Sequence, residues 1–202
     1  RETDPFIDKP TLALARRALS PYVNRIHLMW EMMRDPVIEH FPQAPKTAPN
    51  SKEYMKQVEE TYANDAYHSL SIEGYQVTPE LIERVRSGNW NPDTQIEDRE
   101  QRNALAARGY WQAFQAVEKS IERILTGENA GAVAEKDHGT WYRELFTPSI
   151  TAGLLRPADL AGYRNNSVYI RRSMHVPPSY EAVHDIMPAF FELLEKESNP
   201  AA

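Results

Sequence analysis

Leu105-Ala106-Ala107-Arg108-Gly109-Tyr110-Trp111-Gln112-Ala113-Phe114-Gln115-Ala116-Val117-Glu118-Lys119-Ser120-Ile121-Glu122-Arg123-Ile124-Leu125 is the stretch on which the fold turns. Leu105, Trp111, Phe114, Val117, Ile121, Ile124 and Leu125 recur at steps of three and four, the period that lays apolar side chains along one face of an α-helix. The pattern predicts one long helix from about Ile96 to Leu125, ended by Gly127. A helix of that length with so broad an apolar face needs other helices to cover it.

Its neighbours supply them. Upstream, Ser20-Pro21 reads as an N-cap followed by proline at the first helical position, and Val23, Ile26, Trp30 and Met33 share a face until Pro36 stops the helix. Pro42, Pro45 and Pro49 then mark an extended connector between His40 and Asn50. Ser51 opens a second helix whose inner face is Met55, Val58, Tyr62, Ala66 and Ser69. Thr78-Pro79-Glu80 starts a short third helix with Leu81, Ile82 and Val85 inward and Gly88 at its end. Asn89-Trp90-Asn91-Pro92 is loop. Downstream of the long helix, Trp141, Tyr142, Leu145 and Phe146 belong to another helix that Pro148 closes. Ser179 caps a last one, with Val183, Met187, Phe190 and Leu194 on one face and Pro188 inside it.

One segment breaks the period. Tyr163 to Val176 contains the alternation Val168-Tyr169-Ile170 after a turn-prone Asn165-Asn166 pair, which predicts a β-hairpin ended by Pro177-Pro178. The fold class expected is therefore mainly α with one β-hairpin. Three regions follow: residues 1–50 as an N-terminal helical segment with its proline-rich connector, 51–95 around the second helix, and 96–202 as the remaining helical core with the hairpin.

Composition narrows the function. The chain of 202 residues is large enough for one sizeable helical domain or two small ones. It contains no cysteine, which removes disulfides, thiolate catalysis and cysteine-bound metals and suits a reducing cytoplasm. The net charge is −6 with basic and acidic residues interspersed, unlike the concentrated basic face of a nucleic-acid binder. No apolar run is long enough to span a bilayer, so no membrane role is expected.

Two motifs carry a more particular reading. Tyr67-His68-Ser69-Leu70-Ser71-Ile72-Glu73-Gly74-Tyr75 holds a serine, three residues, then glutamate and glycine. Gly162-Tyr163-Arg164-Asn165, then Val168-Tyr169-Ile170, then His175-Val176-Pro177-Pro178 follow further on. The first resembles the inhibitory motif of the Fic family of AMP-transferases, with Ser69, Glu73 and Gly74 at the matching positions. The second resembles the flap that precedes the Fic catalytic segment. The similarity runs from about Ser51 to Asn199.

The resemblance implies a protein adenylyltransferase that moves AMP from ATP, with magnesium, to a hydroxyl of a target protein. It implies that Glu73 is the inhibitory carboxylate, pairing with an arginine that would otherwise hold the γ-phosphate. Ser69 would fix that end of the helix, and Gly74 would end it with positive φ. Val168, Tyr169 and Ile170 would dock an extended segment of the target by adding a strand to the flap.

The departure from the family is as informative. The histidine motif H-x-F-x-D/E-G-N-G-R is absent: none of His27, His40, His68, His138, His175 or His184 begins it. No catalytic residue and no metal ligand is therefore assigned in this chain, ATP and magnesium are expected only in a longer protein, and the chain alone is expected to be inactive. It is expected to be a piece cut before its catalytic loop. A second copy of the chain stays open as a partner. Two other classes compete: an antitoxin-like helical regulator of a separate Fic partner, and a helical protein-binding module with no nucleotide role. His68 beside Ser69 forms no catalytic dyad, because neighbours on a helix point about 100° apart. Arg171-Arg172 reads most simply as a solvated tip.

Overall fold

A computed structural model describes residues 20–42, 51–90 and 98–202. Among these residues six α-helices follow in order: α1 Pro21–His40, α2 Ser51–Ile72, α3 Pro79–Arg86, α4 Asp98–Leu125, α5 Ala130–Thr151 and α6 Tyr180–Lys196, with a short 3-10 turn, Pro157–Leu160, before α6. The structure is mainly α, and no strand occurs among the described residues. Among the described residues no helix is long and apolar enough to cross a membrane. The chain divides into two compact units, Gln43–Tyr163 and Arg1–Pro42 with Arg164–Ala202.

In the unit Gln43–Tyr163, α4 is the central element, packed by α2, α3 and α5. Its core is built from Tyr62, Ala66 and Leu70 of α2, Ile82 and Val85 of α3, and Ala104, Leu105 and Ala107 of α4, joined by Val77 and Trp90 from the connections. Tyr62 is fully buried, with its ring centroid 4.6 Å from Trp111 and 5.0 Å from Phe114. Burial of such large rings is the main driving force for joining α2 to α4. Between α4 and α5 the approach is closest at Gly109. A Cβ there would lie 1.9 Å from the Leu145 carbonyl oxygen, so only glycine permits the contact. At the α4–α5 turn, Arg123 pairs with Glu128 at 2.6 Å and with Asp137 at 2.8 Å, while Ser120 donates to Asp137 at 2.7 Å.

Capping chemistry sets the helix starts. Thr78 accepts from the Leu81 N–H, Asn129 from that of Ala132, and Ser179 from that of Ala182. Two expected stops are not stops. Pro36 lies within α1 and Pro148 within α5. A proline in a helix removes one donor, and burial of Pro148 against its surroundings offsets that loss.

In the second unit, α1 lies against α6. Val23 is buried, Trp30 meets Phe190 edge-on at 6.4 Å, and Arg34 donates from Nε and Nη2 to the two carboxylate oxygens of Glu197 at 2.7 and 2.9 Å. Met33, expected on the inner face, is exposed. It sits a step around the helix from the line of Val23, Trp30 and Arg34, and that line is the one α6 covers.

The β-hairpin expected over Tyr163–Val176 does not form. Residues 164–179 run without a strand or helix. A turn reverses the chain at Ile170–Ser173, where the Ser173 N–H donates to the Ile170 carbonyl at 3.2 Å and Arg172 takes φ 61°. A hairpin needs a second arm that donates main-chain hydrogen bonds to the first. Here the His175 N–H, which would donate across the turn to Val168, donates instead to Ser173 Oγ at 3.1 Å, and among the described residues no main-chain bond joins the two arms beyond the turn itself. The connector prolines Pro45 and Pro49, and Asn91-Pro92, lie outside the described residues.

Candidate functional site

Ser69, Glu73 and Gly74 gather at the C-terminal end of α2. The chain leaves the helix through two bonds: the Tyr75 N–H donates to the Leu70 carbonyl at 3.0 Å and the Gly74 N–H to that of Ser71 at 3.0 Å. This is a Schellman ending, and Gly74 supplies the left-handed residue it needs, φ 85°. Tyr75 then folds back on the core, in contact with the cluster that holds Leu70. Glu73 becomes the C-cap, its place fixed on both sides.

Beside this helix end lies a cleft of about 620 Å³. Ser69, Leu70, Ile72 and Glu73 of α2 form one wall, with Tyr75 following; Ala106 and Tyr110 come from α4, and Tyr142, Leu145, Phe146 and Ser149 from α5. Tyr142 and Phe146 meet edge to face at 4.9 Å. The lining is mostly apolar and aromatic, and its one charged residue is Glu73. Glu73 is exposed, and its carboxylate forms no ion pair among the described residues. Gly109 matters here, because its close contact with Leu145 joins α4 and α5, the two helices that carry Tyr110 and Phe146.

Ser69 is held from α4. The Tyr110 hydroxyl donates to Asp65 Oδ2 at 2.5 Å and lies 3.3 Å from Ser69 Oγ, whose own proton can serve the tyrosine oxygen. Asp65, Ser69 and Glu73 stand four residues apart on one stripe of α2, so one tyrosine ties two members of the stripe that ends in Glu73. Burial pushes the Tyr110 hydroxyl above its ordinary pKa, and the adjacent Asp65 carboxylate adds to the shift. Asp65 and Tyr110 were not singled out in the sequence. The four-residue spacing of Asp65, Ser69 and Glu73 was the one signal that could have found the aspartate.

The cleft does not fit ATP by itself. A triphosphate needs cations or a cradle of amides, whereas the charged lining is a carboxylate and the rest is apolar. No residue of this chain is therefore assigned to the nucleotide or to magnesium.

The docking residues named from the sequence, Val168, Tyr169 and Ile170, lie in the irregular segment of the other unit. Val168 is 44% exposed, Tyr169 79% and Ile170 53%, so all three side chains reach solvent. Arg164 draws the two ends of this segment together: its guanidinium donates to the Asn166 carbonyl at 2.8 Å and to the Pro178 carbonyl. Tyr163, just before it and within the first unit, stacks on His138 of α5 with ring planes 10° apart. His138 Nδ1 lies 2.7 Å from the Glu135 carbonyl, which places the proton there, so Nε2 accepts from the Tyr163 hydroxyl at 3.0 Å. Burial pushes the Tyr163 hydroxyl above its ordinary pKa.

Comparison with protein-family models, with curated proteins and with solved structures finds no match for this chain.

Proposed function

We propose that the chain is the regulatory and target-docking part of a protein adenylyltransferase of the Fic kind, transferring AMP from ATP to a protein hydroxyl, with Glu73 as the inhibitory carboxylate. The observation that carries the reading is the placement of Glu73. It is a solvent-facing carboxylate without an ion-pair partner among the described residues, fixed at the C-cap of α2 by a Schellman ending and set at the rim of a cleft. A group meant to reach across to an arginine on another segment needs a rigid base and a free head, and Glu73 has both. Tyr110 steadies the same helix face through Asp65 and Ser69. In this reading the histidine, the metal and the phosphate cradle are not supplied by this chain's own residues, and Val168, Tyr169 and Ile170 meet the target.

The test is auto-modification with labelled ATP in a protein that carries both this chain and the histidine motif. Glu73→Gly is expected to raise AMP transfer, because the γ-phosphate regains its arginine. Glu73→Gln should raise it less, since the amide still fills the space. Glycine at a helix end costs less than the ~1 kcal/mol of a helix interior, so folding should survive, and a melting curve beside the assay checks this. If both variants stay folded and neither exceeds the wild type, Glu73 is not inhibitory.

A further inference from the structure

We infer that the segment from Arg164 to Pro178 holds an extended, acidic stretch of a partner protein. This rests on reading the segment as the docking element and names the chemistry of what it docks.

Charge is the first observation. The segment contains Arg164, Arg171, Arg172 and His175 and not one acid, in a chain whose net charge is −6. Arg164 is spent on the neck, on the carbonyls of Asn166 and Pro178. Arg171 and Arg172 are exposed and make no ion pair among the described residues. They sit together at the turn, where the left-handed conformation of Arg172 is held without a glycine to ease it. Two unpaired guanidiniums at one tip are a place for carboxylates, which they can grip bidentately.

The second observation is the exposed apolar surface beside them. Tyr169, Met174 and Val176 are 79%, 98% and 70% exposed. The third is the main chain. No hydrogen bond among the described residues uses the N–H or C=O of Val168 or Tyr169. An extended polypeptide running along this edge would satisfy those groups, cover the apolar side chains and bring its acids to Arg171 and Arg172.

The same features weigh against two other occupants. An anionic bilayer is usually gripped by a cluster of about four to eight basic residues, more than this tip offers, and unpaired main-chain groups are costly against lipid. A second copy of the segment would bring like charge to like charge.

The experiment uses the full chain and labelled peptides of alternating valine and glutamate, the same peptide with glutamine for glutamate, and vesicles of phosphatidylcholine with phosphatidylserine. Fluorescence anisotropy is expected to show the glutamate peptide binding about tenfold tighter than the glutamine peptide, as two partly exposed ion pairs would give. That preference should fade in ~1 M salt, where charges are screened beyond about 3 Å. Arg171→Gln with Arg172→Gln should equalise the two peptides without weakening the glutamine one, whereas the paired lysine substitutions should keep much of the preference. Tyr169→Ser should weaken both peptides. If wild type binds both equally and Tyr169→Ser weakens both, the docking reading stands and the acidic partner falls. If neither peptide binds, both fall. Binding to vesicles without binding to the glutamate peptide also overturns the inference.

Discussion

Tyr62 and Tyr110 lie 6.4 Å apart between α2 and α4, yet their hydroxyls have opposite fates. That of Tyr110 serves Asp65 and Ser69. That of Tyr62 is buried with no hydrogen-bond partner among the described residues, and burial pushes its pKa well up. An unmet buried hydroxyl costs about 1–3 kcal/mol, whereas a made hydrogen bond contributes about 1 kcal/mol. Removing each oxygen should therefore act with opposite sign. Tyr62→Phe is expected to stabilise the protein by about 1 kcal/mol, because the ring still fills its place against Trp111 and Phe114. Tyr110→Phe should destabilise it by about the same amount, softened by the water that reaches exposed Asp65. Urea unfolding followed by circular dichroism measures both. A loss on Tyr62→Phe would mean that the hydroxyl has found a partner.

At the scale of elements, the joint between α4 and α5 hangs on Gly109. Any side chain there collides with backbone at Leu145, not with a side chain that could turn aside. Gly109→Ala removes a glycine from a helix interior, which alone would stabilise by about 1 kcal/mol. The collision should outweigh that gain, since overpacking against backbone costs about 1–3 kcal/mol or more. The expected outcome is a net loss of stability, seen as a lower urea midpoint. Forcing α5 outward should also widen the cleft between Tyr110 and Phe146. A variant as stable as wild type would show that the helices separate there at little cost.

What could be read from the sequence at this scale was what is local. The caps at Thr78 and Ser179 and the ending at Gly74 depend on residues within one turn, and each was legible. Pro36 and Pro148 were not: Pro148 is buried within α5, so packing overrides its local penalty, while α1 continues past Pro36 into a mostly exposed last turn. The alternation at Val168–Ile170 predicted a strand, but a strand exists only with a donor opposite it, and the His175 N–H that would face Val168 turns to Ser173 instead. The spacing of Ser69 and Glu73 on α2 was visible. The cleft beside it was not, since its walls come from three elements far apart in sequence; Tyr142 and Phe146 read only as members of a helix, and nothing marked Tyr110.

For the whole molecule, acid is the informative stress. Protonating the 29 carboxylic acids turns a chain of net charge −6 strongly positive, and that self-repulsion weakens any compact form. Specific pairs add to it. In one unit, Asp137 is held below the ordinary carboxylate range by the Ser120 hydroxyl and by Arg123, and Glu128 by Arg123. In the other, Glu197 is held down to about 2, first by the hydrogen bonds from Arg34 and then by the Asn199 N–H. An unfolded chain takes up the Glu197 proton near 4.5, while the folded chain resists until about 2. The unfolded state thus binds more protons across that window, so the stability Glu197 contributes is complete above about pH 4.5 and drains away as pH falls towards 2. Glu197→Gln cannot titrate. It should be less stable than wild type at neutral pH, and the gap should close as pH drops through the window. Self-repulsion acts on both proteins alike, so the gap between them isolates the Arg34–Glu197 pair. Trp30 packs on Phe190 in the same unit. With 5-fluorotryptophan incorporated, its fluorine resonance reports unfolding of α1 from α6 apart from the other three tryptophans. A gap that stays constant from neutral pH to about 2 would show that Glu197 is not held down by Arg34.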